Sequence, residues 1–347
     1  MSAELPAALV ADGIVLIAVA LAAWVLPAIA MRMLVPALSG GPMLTNYRGR
    51  SIPIGLGLVW PIWVVLCALA SELLSVIGLA AAGRVQVGVA LQLQAARVFG
   101  APAVLVLGAF ALGFADDIFG TSAEKGFRGH LKALRAGRLT TGGLKLIGIG
   151  LFAAVAVTPA IPAESSNAGW FGTIGLWVLE VLAIALTANL VNLLDLRPGR
   201  ALKGYSALVV PAVLLGAARW YGLARGDASA FVDSITLVLG MGLLLLGPIA
   251  AVWRYDLGEE AMLGDGGANP AGALAGFVVA AALPPWALAV YVVLVLGANV
   301  ASERVSFSEV IAANRLLRWA DGLGRLPEPT PDVSISEDRG PTGRTDG

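Results

Sequence analysis

The sequence predicts an all-α protein, a polytopic bundle of about nine to ten transmembrane helices whose active-site loops face the cytoplasm. Three observations carry that prediction. Of 347 residues, 58% are hydrophobic and only 13% charged, far from the mix of an ordinary soluble domain. Apolar runs recur at about 20 residues, the length a helix needs to cross a hydrocarbon core roughly 30 Å thick. Lysine and arginine fall almost wholly on one side of those runs.

The spans are read near residues 7–31, 52–79, 98–115, 142–161, 172–194, 205–223, 231–253, 268–283 and 284–302. The first lacks a basic flank and a small-residue cleavage site, so it reads as a retained helix and not as a signal peptide. The seventh contains LVLGMGLLLLGPIAAVW, and the short eighth and ninth share Pro284-Pro285. With the amino terminus outside, only Arg84, Arg97, Arg219 and Arg225 of the 23 lysines and arginines lie outside. The reverse topology would invert that bias. The formal net charge of zero hides the asymmetry, and nucleic acid is not an expected partner. Cys67 is the single cysteine and sits inside the second span, which leaves no disulfide framework.

Domain organisation follows from the same pattern. Residues 1–302 form the transmembrane domain, with no soluble domain and no internal repeat. Residues 303–325 alternate apolar and basic positions at helical spacing, which suggests an amphipathic helix on the inner leaflet. Residues 326–347 are polar, rich in Pro and Gly and aperiodic, so disorder is expected.

Chemistry concentrates in four inside loops, 43–53, 116–145, 195–205 and 254–270. Asp116-Asp117 close an apolar run and offer hard oxygen ligands suited to Mg²⁺ and phosphate; a helix cap or a solvated loop is the plain alternative. The basic loop that follows includes Lys132 and His130, the only histidine, which excludes a histidine-based metal site. Lys145 enters the next apolar run after Thr140-Thr141-Gly142-Gly143, placed either to reach a phosphate or simply to snorkel. Asn189, Asn192 and Asp195 recur at i, i+3 and i+6, one broad helix face that could read a base or a sugar, or bond between helices. Asp265 lies in Gly264-Asp265-Gly266-Gly267 just before a helix, where free N–H groups favour an anion; a capping aspartate in a turn is the alternative.

Taken together, these loops resemble the polyprenyl-phosphate N-acetylhexosamine-1-phosphate transferases over roughly residues 40–300 and in the family's order. MLTNYRGRSIPIGLG is similar to the family's Asn-x-Arg-Gly segment, which places Asn46 and Arg48. FADDIFG resembles its aspartate pair, TTGGLKL its phosphate-approaching lysine, NLVNLLD its Asn-x-x-Asn-x-x-Asp motif, and MLGDGGANP its Gly-Asp-x-Gly motif. The family continues with Asp-Gly-x-Asp-Gly where this chain has Asp195-Leu196-Arg197-Pro198-Gly199-Arg200. Arg197, Arg200 and Lys203 make that segment basic, and the histidine-rich motif of the muramoyl-pentapeptide branch is absent.

The resemblance implies transfer of a sugar-1-phosphate from a UDP-sugar to polyprenyl (undecaprenyl) phosphate, for cell-envelope polymer synthesis at a bacterial inner membrane. It implies Mg²⁺ held by Asp265 with Asp117, catalysis by Asp116, Asp117, Asp265 and Lys145, and phosphate steadied also by Lys132. Asn46, Arg48, Asn189, Asn192, Asp195, Arg197, Arg200 and Lys203 would bind substrate. One rival is a relative without turnover that binds lipid or nucleotide and regulates envelope assembly. A second is a secondary transporter, suggested by Glu72 and Glu180 within spans. The sequence leaves open whether the chain forms a homodimer.

Overall fold

The computed structural model describes residues 13–80, 86–120, 129, 132–133, 135–158, 169–223 and 228–327. Calls on residues 1–12, Lys125, Arg128, His130 and the tail 328–347 lie outside them. Helix α1 spans Gly13–Leu38 with a π-turn at Leu21–Val25. A two-stranded antiparallel ribbon follows, β1 Met43–Thr45 and β2 Ser51–Pro53, with Leu44 opposite Ile52. The remaining helices through the bundle are α2 Val59–Ala80, α3 Gln86–Phe119, α4 Thr141–Val157, α5 Gly169–Leu194, α6 Arg200–Leu223, α7 Ala228–Leu257, α8 Asp265–Ala282 and α9 Pro285–Ser302. Two short helices close the described chain, α10 Phe307–Ala313 and α11 Arg315–Gly322.

Seven of the described helices are long and apolar enough to cross a membrane. Their outer surfaces fit lipid: Leu69, Leu73, Leu151, Val155, Leu239, Val293 and Leu294 are all more than half exposed. The protein is therefore read as an integral membrane protein. Two expected spans differ from the other seven. Helix α4 is apolar but short, and α8 is rich in Gly and Ala, so it falls below the apolarity of a lipid-facing helix.

Helix α8 is the centre of the fold. Fifteen of its 18 residues are buried, and it packs against α3, α5 and α6. Small residues permit this. A Cβ at Gly272 would stand 2.6 Å from Ala188 Cα, and one at Gly276 would stand 2.7 Å from Ile184 Cα. This GxxxG spacing lets α8 and α5 touch backbone to backbone. At its start, a Cβ at Gly57 would meet Gly266 at 2.5 Å and one at Gly113 would meet the Asp265 carbonyl at 2.2 Å. The main apolar cluster lies beside it around Trp60, Trp63 and Tyr205. Each of those buried rings reaches a backbone carbonyl, Trp60 that of Gly267 at 2.9 Å.

Several expected boundaries shift. The second span does not start at residue 52: β2 and a 3₁₀ turn at Leu56–Leu58 precede α2. Helix α3 runs on to Phe119, so Asp116 and Asp117 occupy its last turns and not a loop. Helix α6 starts at Arg200, which puts Arg200 and Lys203 on a helix as well. The amphipathic segment 303–325 is two helices broken at Asn314, whose side chain accepts from the amides of Leu316 and Leu317 at 3.0 and 3.1 Å and so caps α11.

Candidate functional site

The ends of α3, α4, α5 and α7 and the start of α8 meet at one end of the bundle. The turn before α8 is fixed from below by the ribbon: Met262 N donates to Pro53 O at 2.8 Å, and Leu56 N donates to Met262 O at 3.2 Å. Gly264 then takes φ 67°, a left-handed conformation that favours glycine, and aims the first amides of α8 toward α3. Asp117 Oδ1 accepts from Asp265 N and Oδ2 from Gly266 N, both at 2.9 Å. A carboxylate there satisfies two orphan donors and opposes the positive end of the helix dipole.

Lys145 lies in the first turn of α4, started by Thr140, whose hydroxyl accepts from Gly143 N at 3.0 Å. Its ammonium donates to Asp116 Oδ2 at 2.9 Å and to Asp265 Oδ2. Three helices thus bring four sequence-predicted residues, Asp116, Asp117, Lys145 and Asp265, into one contiguous group. Asp195, in the turn after α5, belongs to the same field. Burial, and then the charges of Asp256, Asp265 and Asp117, hold its carboxyl well above the usual range, against a counteracting pull from the Gly264 amide.

Asp256, near the end of α7, was missed by sequence reasoning. Its Oδ2 accepts from Gly199 N at 2.6 Å and fixes the turn into α6. Among the described residues, five carboxylates, Asp116, Asp117, Asp195, Asp256 and Asp265, therefore share one region in which Lys145 is the ammonium in direct contact. This donor set of hard oxygens with surplus negative charge fits a divalent cation such as Mg²⁺. Asp117 already uses one lone pair of each oxygen on the α8 cap, whereas Asp116 and Asp265 present theirs to the shared gap.

The other predicted residues separate into groups. Asn192 stands beside the acidic group, and its Oδ1 is buried without a hydrogen-bond partner among the described residues. Asn189 faces elsewhere: its Nδ2 donates to Asn299 Oδ1 at 2.5 Å and ties α5 to α9. The row turns by about 60° per step around α5, so that Asn189 meets α9 while Asp195 reaches the acidic group. Lys132 is exposed, and among the described residues its contact is through its carbonyl, which accepts from Ala136 N at 3.1 Å.

Asn46 and Arg48 build a network of their own. Asn46 Oδ1 accepts from the amides of Arg48 and Arg50 at 2.9 and 3.0 Å and shapes the ribbon's turn. Its Nδ2 donates to Glu259 Oε2 at 3.0 Å, and Arg48 Nε lies 2.8 Å from Glu259 Oε1. Glu259, buried and at φ 53°, was also missed; it takes a left-handed conformation uncommon for a residue with a side chain, with its carboxylate held by Asn46, Tyr47, Arg48 and Arg50. No sequence signal separates it from its neighbour Glu260.

The basic side chains after Asp195 find their hydrogen-bond and stacking partners away from Asp116, Asp117 and Asp265. Arg200 is buried and forks onto Asp321 of α11, Nε to Oδ1 at 2.6 Å and a terminal nitrogen to Oδ2 at 3.0 Å. Lys203 donates to the carbonyls of Ala320 and Asp321 at 3.0 and 2.6 Å. Arg197 stacks over the Tyr47 ring, 4.6 Å from its centroid. The spans' two glutamates stand apart from the site, Glu72 exposed and Glu180 half-buried on the bundle's sides. No protein-family model matches this chain, and no curated protein matches it.

Proposed function

We propose that this protein is a membrane-embedded phosphoglycosyltransferase that moves a sugar-1-phosphate from a UDP-sugar to polyprenyl phosphate. The observation that carries this reading is the convergence of Asp116, Asp265 and Lys145 from three helices, around a gap where carboxylates outnumber cations. The setting is the cytoplasmic face of a bacterial inner membrane, with the prenyl chain against the apolar flank of the bundle.

An oxygen of the lipid phosphate forms a bond to the sugar-bearing phosphorus, the diphosphate bridge breaks, and UMP leaves. Lys145 steadies phosphate oxygens, and Asp116 orients the attacking phosphate or takes its proton. Asp117 acts from behind by holding the first turn of α8, and with it Asp265, in place. The unpartnered Asn192 oxygen is an acceptor suited to a donor edge of the nucleotide. Asp265 and Asp116, with Asp195 near, would hold Mg²⁺, which would supply charge neutralisation on the diphosphate.

The test is purified protein in detergent with undecaprenyl phosphate, Mg²⁺ and a panel of labelled UDP-sugars. Formation of lipid-linked diphosphate together with UMP is expected for at least one donor. A blank panel beside an active relative would end the transferase reading. The second reading is a relative without turnover. It draws on Arg200 and Lys203, whose donors are engaged by α11. UDP-sugar binding without UMP release, unaffected by Asp116→Asn, would favour it.

A further inference from the structure

Helices α10 and α11 contribute no buried residue. They are fastened by polar contacts on one face alone. Arg200 holds Asp321 and donates to Ser308 Oγ at 2.7 Å, Lys203 holds the last carbonyls of α11, and Arg48 reaches the carbonyls of Leu326 and Pro327 at 2.9 and 3.0 Å. The opposite face of α11 is apolar and open. Leu316 is 69% exposed and Trp319 62%, flanked on one side by exposed Arg315 and Arg318, the latter also donating to the Ala312 carbonyl at 3.0 Å. An eight-residue helix gains too little from its own hydrogen bonds to persist with such a face in water.

Chain continuity says what covers that face. Helix α9 turns Val293, Leu294 and Val300 outward to lipid and ends at Ser302, and α10 begins at Phe307. So short a connection keeps the pair at the membrane boundary. A tryptophan beside arginines matches that boundary: the indole sits at headgroup level, and guanidinium groups pair with lipid phosphates.

We infer that the outer face of α11 rests on a bilayer surface and binds anionic phospholipid headgroups through Arg315 and Arg318, with Trp319 and Leu316 in the interface. The helix is then held from both sides, by lipid outside and by Arg200 and Lys203 inside. The rim of the acidic site, through α6, thus shares an element with the lipid surface. This inference goes beyond the transferase reading and stands whether or not the protein turns over a UDP-sugar.

The test uses the full chain with Cys67→Ala and Leu316→Cys, labelled with bimane, in nanodiscs of phosphatidylcholine with or without phosphatidylglycerol. Spin-labelled lipid carrying its quencher near the headgroup should quench the label, and more strongly with phosphatidylglycerol. Each arginine near an anionic surface contributes roughly a fivefold factor in partition, so Arg315→Gln with Arg318→Gln should lower the bound-to-free ratio about 30-fold. Trp319→Gln, a second surface variant, should also reduce quenching. A label quenched only from water by iodide, or indifferent to lipid charge and to both arginines, would overturn the inference. Energy transfer between labelled copies in place of lipid quenching would overturn it too, and would assign the face to a second copy of the chain.

Discussion

Asp117 Oδ1 accepts a 2.9 Å hydrogen bond from the backbone nitrogen of Asp265, so a carboxylate on α3 fixes the starting point of α8. With Gly266 N on its other oxygen, Asp117 acts as an N-cap supplied from a separate helix. The geometry of the acidic group and the stability of the fold are therefore joined at one side chain.

Asp117→Ala should leave two amides without partners at a buried helix start. A cap of this kind contributes about 1–2 kcal/mol. Thermal unfolding in detergent should show a lower midpoint for Asp117→Ala than for Asp117→Asn, which retains one acceptor. Equal midpoints for Asp117→Ala and the parent would show that the cap has no energetic weight.

Lys145→Met should be the most damaging single change in the acidic group. It removes the cation that, among the described residues, contacts Asp116 and Asp265, and leaves both carboxylates without it. Breaking a buried pair from one side costs about 3–5 kcal/mol, and partial exposure here places the loss at the low end. Under the proposed transferase reading, transfer should fall at least about 100-fold, while Asp116→Asn with Lys145→Met should recover part of the lost stability. A double variant no more stable than Lys145→Met would count against charge imbalance as the cause.

The α11 latch should respond to acid and not to base. Burial opposes the charged form of Asp321, but its bond to Arg200 and the charges of Arg200 and Arg325 win, and its carboxyl lies below the ordinary range. A depressed carboxylate stabilises the folded form above the unfolded value of about 3.9 and loses that contribution as pH falls through the folded one. Hydrogen exchange across residues 315–325, corrected for intrinsic rates, should be flat from pH 8 to 5 and accelerate below about pH 4. Asp321→Asn should exchange fast throughout; protection equal to the parent's would remove Asp321 as the latch.

Glycines on α8 and elsewhere should differ sharply. Gly272→Val places side-chain carbon against Ala188 and Thr187, already 2.6 Å from a Cβ, and should abolish the monodisperse folded protein on gel filtration. Gly216→Ala, on α6 with nothing within 4 Å of the new carbon, should be neutral or stabilising by about 0.5–1 kcal/mol. Similar behaviour of the two variants would contradict the close α5–α8 contact.

The sequence revealed the acidic group because alternating spans leave few places for charge, and Asp116, Asp117, Lys145 and Asp265 all had to stand at one end. It did not reveal their division of labour. That Asp117 caps α8 depends on where α3 stops, four residues beyond the expected boundary. The contacts that Asn46 and Arg48 make with Glu259, and Arg200 and Lys203 with α11 at Asp321, were not legible because those partners are distant in sequence and unremarkable in composition. Nothing local marks which carboxylate meets which guanidinium. Helix α8 read as an ordinary span, yet its Gly and Ala content is better explained by burial on every side than by contact with lipid.

That enclosure bears on how the chain is made. Helix α8 carries Asp265, Asn269 and Pro270 in its first two turns and has no apolar flank to offer lipid hydrocarbon. It cannot rest alone beside the translocon. Its main neighbours, α3, α5 and α6, all precede it in the chain, so it enters a slot that they have already framed. A nascent chain stopped at Ala282 should accordingly leave α8 accessible to aqueous thiol reagents at an introduced cysteine, whereas one extended past Ser302 should protect it.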